Sequence, residues 1–175
     1  TSLLRLVNQI MDLTKLAAGR YDLRCAPLDA GLGLAGAADE FEGRATARGI
    51  VIDRQACTPG AMIDADETVF AAMMAYLLDN AVTFTHPGGR IWLAVGRDAG
   101  AVTVTVADNG PGVLPPDLQR ILHPFEQAGA VTEHATGSGL GLTLVKAFAE
   151  LHGGSLSLES LPGEGFTAKV AFPAA

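Results

Sequence analysis

Cysteine is scarce in this 175-residue chain, and so is positive charge. The two cysteines, Cys25 and Cys57, stand far apart and form no CxxC, which leaves neither a disulfide framework nor a thiolate zinc site. None of the 4 histidines forms a pair at metal-ligand spacing. Lys and Arg number 12 against 19 Asp and Glu, a net charge of -7. The clustered cations that displace counterions from a polyanion are therefore missing, and nucleic acid is excluded as a partner. Apolar runs such as AAMMAYLL fall well short of the roughly 20 residues that cross a bilayer. No basic segment leads into an apolar one, as in a secretory leader. These absences point to a reducing, cytoplasmic setting with no membrane contact by this chain, whether or not a longer parent protein is anchored.

What is present is apolar. At 49% hydrophobic and 18% charged residues, the chain can bury one good core but is too short for two ordinary domains. Leu3, Leu6, Ile10, Leu13 and Ala17 recur at alternating steps of three and four, the narrow seam of a bundle or coiled-coil helix ending at Gly19. Residues 1–19 are thus expected to form a helical unit apart from 20–175. YDLRCAPL then reads as a strand ended by Pro27, and one helix carrying Leu32, Phe41 and Ala45 leads to a second strand, IVIDRQAC. AMID is a short third strand. Asp66 caps a long helix that HPGG ends. RIWLAVGRD and AVTVTVADN alternate as a hairpin joined at Ala-Gly. PPDLQRIL is a short helix, 123–136 a polar stretch, GLGLTLVKAFAELHGG a helix, and GSLSLES with GFTAKVAFP a closing hairpin. The order predicts an α+β two-layer sandwich, with helices covering one face of a mixed sheet.

Three short stretches carry chemistry. GSGLGL, residues 137–142, lacks the Lys and hydroxyl that follow the last glycine of a P-loop, and VTEHAT before it is no dinucleotide-fold strand. What survives is GxGxG at a helix start, where bare amides and the dipole favour an anion. A flexible helix entry remains the plain alternative. DNGPG, 108–112, is rich in turn residues, yet its aspartate ends a strand expected at the sheet centre. A carboxylate buried there needs donors, and the exocyclic amine of a purine is one. Val69, Met73, Leu77, Asn80 and Phe84 fall at spacings of four, four, three and four, which places Asn80 within the apolar stripe of its helix. A satisfied core amide and an oxygen ligand for Mg2+ both fit that position.

Taken in order, the set resembles the N, G1, F and G2 boxes of the ATP-binding domain of sensor histidine kinases, within the larger family of gyrase, Hsp90 and MutL with its Bergerat-type fold. The resemblance covers the chain from about Tyr21 onward, with PFEQ at 124–127 similar to the F box. DLTKLAAGRYDL resembles the end of the second helix of the kinase dimerisation and phosphoacceptor domain. The resemblance implies that Asp108 receives the adenine amine, that Gly110 and Gly112 shape the loop beside the base, and that Asn80 holds Mg2+ with ATP. It further implies that Gly137, Gly139, Leu140 and Gly141 face the phosphates, that Thr167 lies near the adenine, and that Phe125 anchors a lid over 123–136. The implied partners are the chain's own dimerisation and phosphoacceptor domain, a response regulator, and a second copy through the N-terminal helix.

Two positions depart from the pattern. Gyrase-like relatives place a general-base Glu where this chain has Tyr76, and a phenol with an ordinary pKa near 10 is a poor base at neutral pH. A hydrolytic motor is therefore rejected. Histidine kinases carry Asn at that position and Lys at Thr83, so this chain lacks a family cation where phosphoryl transfer depends on charge. Tyr76 is expected to fill space against Phe84 or the lid. None of the histidines has the acidic context of a phosphoacceptor, and each reads as a surface or loop residue. A protein-histidine kinase module and a pseudokinase-like regulatory module both remain open on these residues.

Overall fold

The computed structural model describes residues 2–123 and 139–175, and the account of structure is confined to them. Helix α1, Ser2–Ala17, comes first and is followed by an irregular segment to Arg24. Strand β1, Cys25–Asp29, pairs antiparallel with β3, Met62–Asp66, in a two-stranded sheet. Here the chain departs from expectation, since Pro27 lies inside the strand opposite Asp64 rather than ending it. In a two-stranded sheet a residue without an N–H can face outward without breaking a ladder bond.

The single helix expected between the first two strands is two, α2 (Ala30–Asp39) and α3 (Glu42–Ala47). The break has a local cause. The amides of Glu40 and Phe41 bond the carbonyls of Ala37 and Ala38, three residues back, which tightens the last turn of α2 and redirects the chain. Phe41 is thereby buried, whereas Leu32 is left 59% exposed. Asp29 caps α2 through Leu32 N–H at 3.1 Å.

The main sheet has the order β2-β4-β5-β7-β6, built from β2 (Val51–Ala56), β4 (Arg90–Asp98), β5 (Ala101–Asp108), β6 (Ser155–Ser160) and β7 (Phe166–Pro173). The β2–β4 pair is parallel and the others are antiparallel. Ala99 and Gly100, at φ 48° and 81°, turn the β4–β5 hairpin in the sense that matches strand twist. Helix α4 (Glu67–Phe84) is capped by Asp66, which accepts from Val69 N–H at 3.1 Å, as the sequence foretold. Short α5 (Pro115–Arg120) and α6 (Gly141–Leu151) complete the elements.

The core lies between one sheet face and the helices. Val102, Val104 and Val106 of β5, with Ala168, Val170 and Phe172 of β7, meet Met73, Met74, Leu77 and Leu78 of α4 and Leu144 and Phe148 of α6, all buried. The opposite sheet face is open, and Trp92 is 41% exposed on it. This is the mixed, one-side-covered α+β sandwich that the alternation of β5 and the periodicity of α4 imply.

Candidate functional site

The inward set of β5 runs Val102, Val104, Val106 and then Asp108, so strand alternation carries a carboxylate into the apolar layer at the end of the central strand. Asp108 is 7% exposed. Burial pushes its pKa up to about 6, and the bonds from the Gly110 and Phe166 amides and the nearby His86 offset this only in part. The Gly110 N–H donates to Oδ1 at 2.8 Å. The site therefore holds a strained acceptor that a further donor would relieve.

DNGPG does more than turn. A Cβ on Gly110 would lie 2.9 Å from the Phe84 carbonyl oxygen and 3.0 Å from Asp108 Oδ1. Gly112 combines φ 69° with a position where a Cβ would meet the Leu161 carbonyl oxygen at 2.2 Å. The loop is thus pressed between the end of α4 and the β6–β7 turn, to which Ser160 ties it by accepting from Val113 N–H at 2.9 Å.

On α4, Tyr76, Asn80 and Thr83 share one edge. The buried arc passes through Leu77, Leu78, Ala81 and Val82, so Asn80 sits half-buried at the border of the apolar stripe rather than within it, and Phe84 is 39% exposed. The last turn of α4 overhangs the Asp108 loop, and there the stripe meets the site instead of the core. The Tyr76 phenol hydrogen-bonds to Gln9 of α1, and burial followed by the Asp12 charge raises its pKa, which removes it further from use as a base. A Cβ on Gly141 would lie 3.5 Å from Tyr76 Cβ. Tyr76 thus fills space between α1 and the start of α6. Of the two places expected for it, Phe84 and the lid, residues 124–136 of the lid lie outside the described residues.

Thr83 is not bare of positive charge. Arg44 of α3 reaches its hydroxyl at 3.4 Å and pairs at 2.7 Å with Asp79, which also pairs with Arg5 of α1 at 3.2 Å. Arg48 closes the end of α4 by donating to the carbonyls of Val82 and of Thr85, the latter at 2.8 Å. Neither arginine was singled out in the sequence, because both reach α4 from an element some 35 residues earlier; only their position on the helix before β2 was visible.

At α6, Gly139 has φ 74°, Leu140 is fully buried, and Gly141 opens the helix with no side chain capping it. Its first amides are suited to an anion. Gly137 and Phe125 lie outside the described residues. Thr167 pairs with Ala107, so its side chain leaves the sheet on the face opposite Asp108. The register partner of Asp108 is Phe166. Thr167 is therefore not brought to the carboxylate, and Phe166 is. His152 also departs from a surface reading. Its Nδ1 meets the Phe148 carbonyl at 2.7 Å and its Nε2 accepts from Asp66 N–H at 3.2 Å, which ties α6 to the start of α4.

Among the described residues no group of three or more His, Cys, Asp or Glu could hold a metal. Two cavities, of about 430 and 280 Å3, lie along α1 near Lys15, Tyr21 and Val69, away from Asp108. They mark incomplete packing of α1 on the domain and lack the buried acceptor and glycine-rich helix start that a nucleotide needs.

A central-strand carboxylate, a glycine-pressed loop and a glycine-opened helix start on one side of a one-face-covered sheet define an ATP-binding sandwich. Residues 65–175 match the model of the histidine kinase-, DNA gyrase B-, and HSP90-like ATPase family, and the chain belongs to that family. Over 172 residues it is 37% identical to the histidine protein kinase DivJ of Caulobacter vibrioides, covering 98% of this chain and 29% of that protein. It is 34% identical over 174 residues to a sensor-like histidine kinase of Rhizobium meliloti, covering 99% of this chain and 33% of that protein. The chain thus spans about a third of the length of these relatives. The crystal structure of full-length ShkA in complex with AMPPNP superposes with a TM-score of 0.87 at 32% identity, over 99% of this chain and 36% of that one. The Acinetobacter baumannii histidine kinase AdeS, at 20% identity and a TM-score of 0.79 over 98% of this chain and 78% of that one, shares the fold.

Proposed function

We propose that this chain is the ATP-binding catalytic module of a two-component sensor histidine kinase, delivering the γ-phosphoryl group to a histidine outside these residues for relay to a response regulator. The observation that carries the reading is Asp108, a buried carboxylate with pKa raised to about 6 at the end of the central strand, beside a loop that tolerates no Cβ. Its free acceptor capacity suits the amine of adenine and clashes with the carbonyl of guanine. ShkA, of the same fold, carries AMPPNP in its crystal structure.

When bound, Mg2+-ATP supplies the phosphoryl group and the charge that the metal neutralises. Asn80 offers one side-chain oxygen at the edge of α4, which suits Mg2+, an ion that takes one or two protein ligands and completes its shell with water and phosphate. The start of α6 at Gly139, Leu140 and Gly141 would face the phosphates with its positive dipole end. Phe166, the register partner of Asp108, and Phe84, whose carbonyl abuts Gly110, would lie beside the base. Tyr76, with its pKa raised, holds no proton-accepting role, in keeping with transfer rather than hydrolysis. Arg44 at Thr83 stands where a lysine is otherwise expected, and a cation there argues against the pseudokinase-like alternative. Leu3, Leu4, Val7 and Met11, all exposed on α1, suit pairing with a second copy in the parent protein.

ATP or ADP should raise the melting temperature, because a ligand at about 100 times its Kd adds roughly 2.7 kcal/mol, and GTP should do less. No shift at millimolar Mg-ATP in the folded protein overturns the reading.

A further inference from the structure

Thr85 follows the last residue of α4 and is 0% exposed. Its backbone is satisfied on both sides: its N–H donates to the Ala81 carbonyl at 3.0 Å, and its carbonyl accepts from Arg48 at 2.8 Å. Its hydroxyl has no partner. Threonines elsewhere in the chain show the ordinary solution, with Thr14 donating to the Ile10 carbonyl and Thr143 to the Leu122 carbonyl, each at 2.8 Å. A buried hydroxyl left unpaired is costly, and when one persists in a fold an absent partner is the first explanation to test.

The surroundings of Thr85 place it beside the Asp108 loop. A Cβ on Gly89 would meet Thr85 Cγ2 at 2.4 Å and Asn109 Oδ1 at 2.8 Å, so Thr85 and the residue after Asp108 close on the same point. On its other side, the Phe84 carbonyl presses on Gly110, whose N–H holds Asp108. His86, next in the chain, is close enough to act on the Asp108 charge. Thr85 is thus packed into the shell of residues that surrounds Asp108, and its hydroxyl is the unpartnered polar atom there.

We propose that the Thr85 hydroxyl is a second polar contact of the purine pocket, partnered by the base or by a water that the base holds, and that it acts with Asp108 to select the ligand. The proposal rests on the nucleotide reading of Asp108. A hydroxyl both donates and accepts, so it complements a carboxylate that only accepts, and the pair can engage a base edge presenting a donor beside a ring nitrogen. A buried hydroxyl without a partner costs stability, and a contact to the base would offset that cost.

The test is calorimetric titration of ADP and AMP into the wild type, Thr85→Val and Thr85→Ser, with melting temperatures of the unliganded proteins. Valine preserves the shape and removes the hydroxyl. It should weaken ADP and AMP by the same factor, about three- to tenfold, because the contact is to the base and not the phosphates. Serine, which keeps the hydroxyl, should stay within about twofold of the wild type. Unliganded Thr85→Val should melt no lower than the wild type. Unchanged affinities in Thr85→Val overturn the proposal, and a lower melting temperature with unchanged affinities shows that the hydroxyl has an internal partner. If wild-type protein binds neither nucleotide, the reading of Asp108 fails and this proposal with it; binding that Thr85→Val does not alter rejects this proposal alone.

Discussion

Asp108→Asn separates the carboxylate's cost to the fold from its use in binding. In the folded protein the pKa stands at about 6, against an ordinary 3.8, and burial is the main cause. The folded state thus holds its proton more tightly than the unfolded chain. Sign follows: as pH rises from about 4 to about 6 the wild type loses stability, and above that the loss is complete. At roughly 1.4 kcal/mol per pH unit, the whole change is about 3 kcal/mol. The asparagine variant does not titrate, and whatever its amide costs in packing is the same at every pH. The stability difference between variant and wild type should therefore move by about 2.4 kcal/mol in the variant's favour between pH 4 and pH 7, most of it between 4 and 6. Urea denaturation of both proteins at half-unit steps of pH measures this, with His86 replaced by Gln in both backgrounds to remove its charge from the comparison. A pH-independent difference would refute the argument that Asp108 is held ionised at a cost. Its affinity for ADP should meanwhile fall by on the order of 1 to 3 kcal/mol, the usual cost of an unpaired buried group.

Two further outcomes follow from contacts around α4. Arg48→Ala strips the donor from the carbonyls of Val82 and Thr85 and should cost about 2 to 3 kcal/mol by urea denaturation, with Arg48→Lys recovering only part because one ammonium cannot span both acceptors; a loss below half a kcal/mol would show that water caps this helix end. Tyr76→Phe keeps the ring against Gly141 but drops the bond to Gln9, so it should cost about 1 kcal/mol and speed hydrogen exchange in α1. Unaltered exchange over residues 2–17 would mean that the Tyr76–Gln9 bond does not hold α1.

Much of the site could be read in advance where a single periodicity decides the outcome. Asp108 continues the inward phase of three valines, Asp66 sits one residue before a long apolar helix, and Gly139 and Gly141 bracket a helix start; each follows from local spacing. Thr167 rested on the resemblance of GEGFT and not on strand phase, and the register of β7 puts it on the face opposite Asp108, where one residue of phase decides the face. The split of α2 and α3 was hidden because it depends on two amides reaching back three residues, with no proline to announce it. Arg44, Arg48 and Thr85 are legible only in three dimensions: their partners come from α3 folding back on the end of α4, which no local pattern encodes.

The central claim, that Asp108 makes this an adenine-nucleotide module, is tested most directly by calorimetric titration of ADP and GDP into wild type and Asp108→Asn at pH 7.5 and one ionic strength. The account predicts that wild type binds ADP at least about tenfold more tightly than GDP, a difference of roughly 1.4 kcal/mol, and that the asparagine variant loses most of that preference. Equal affinity of wild type for the two nucleotides, or a preference that survives in Asp108→Asn, would contradict it.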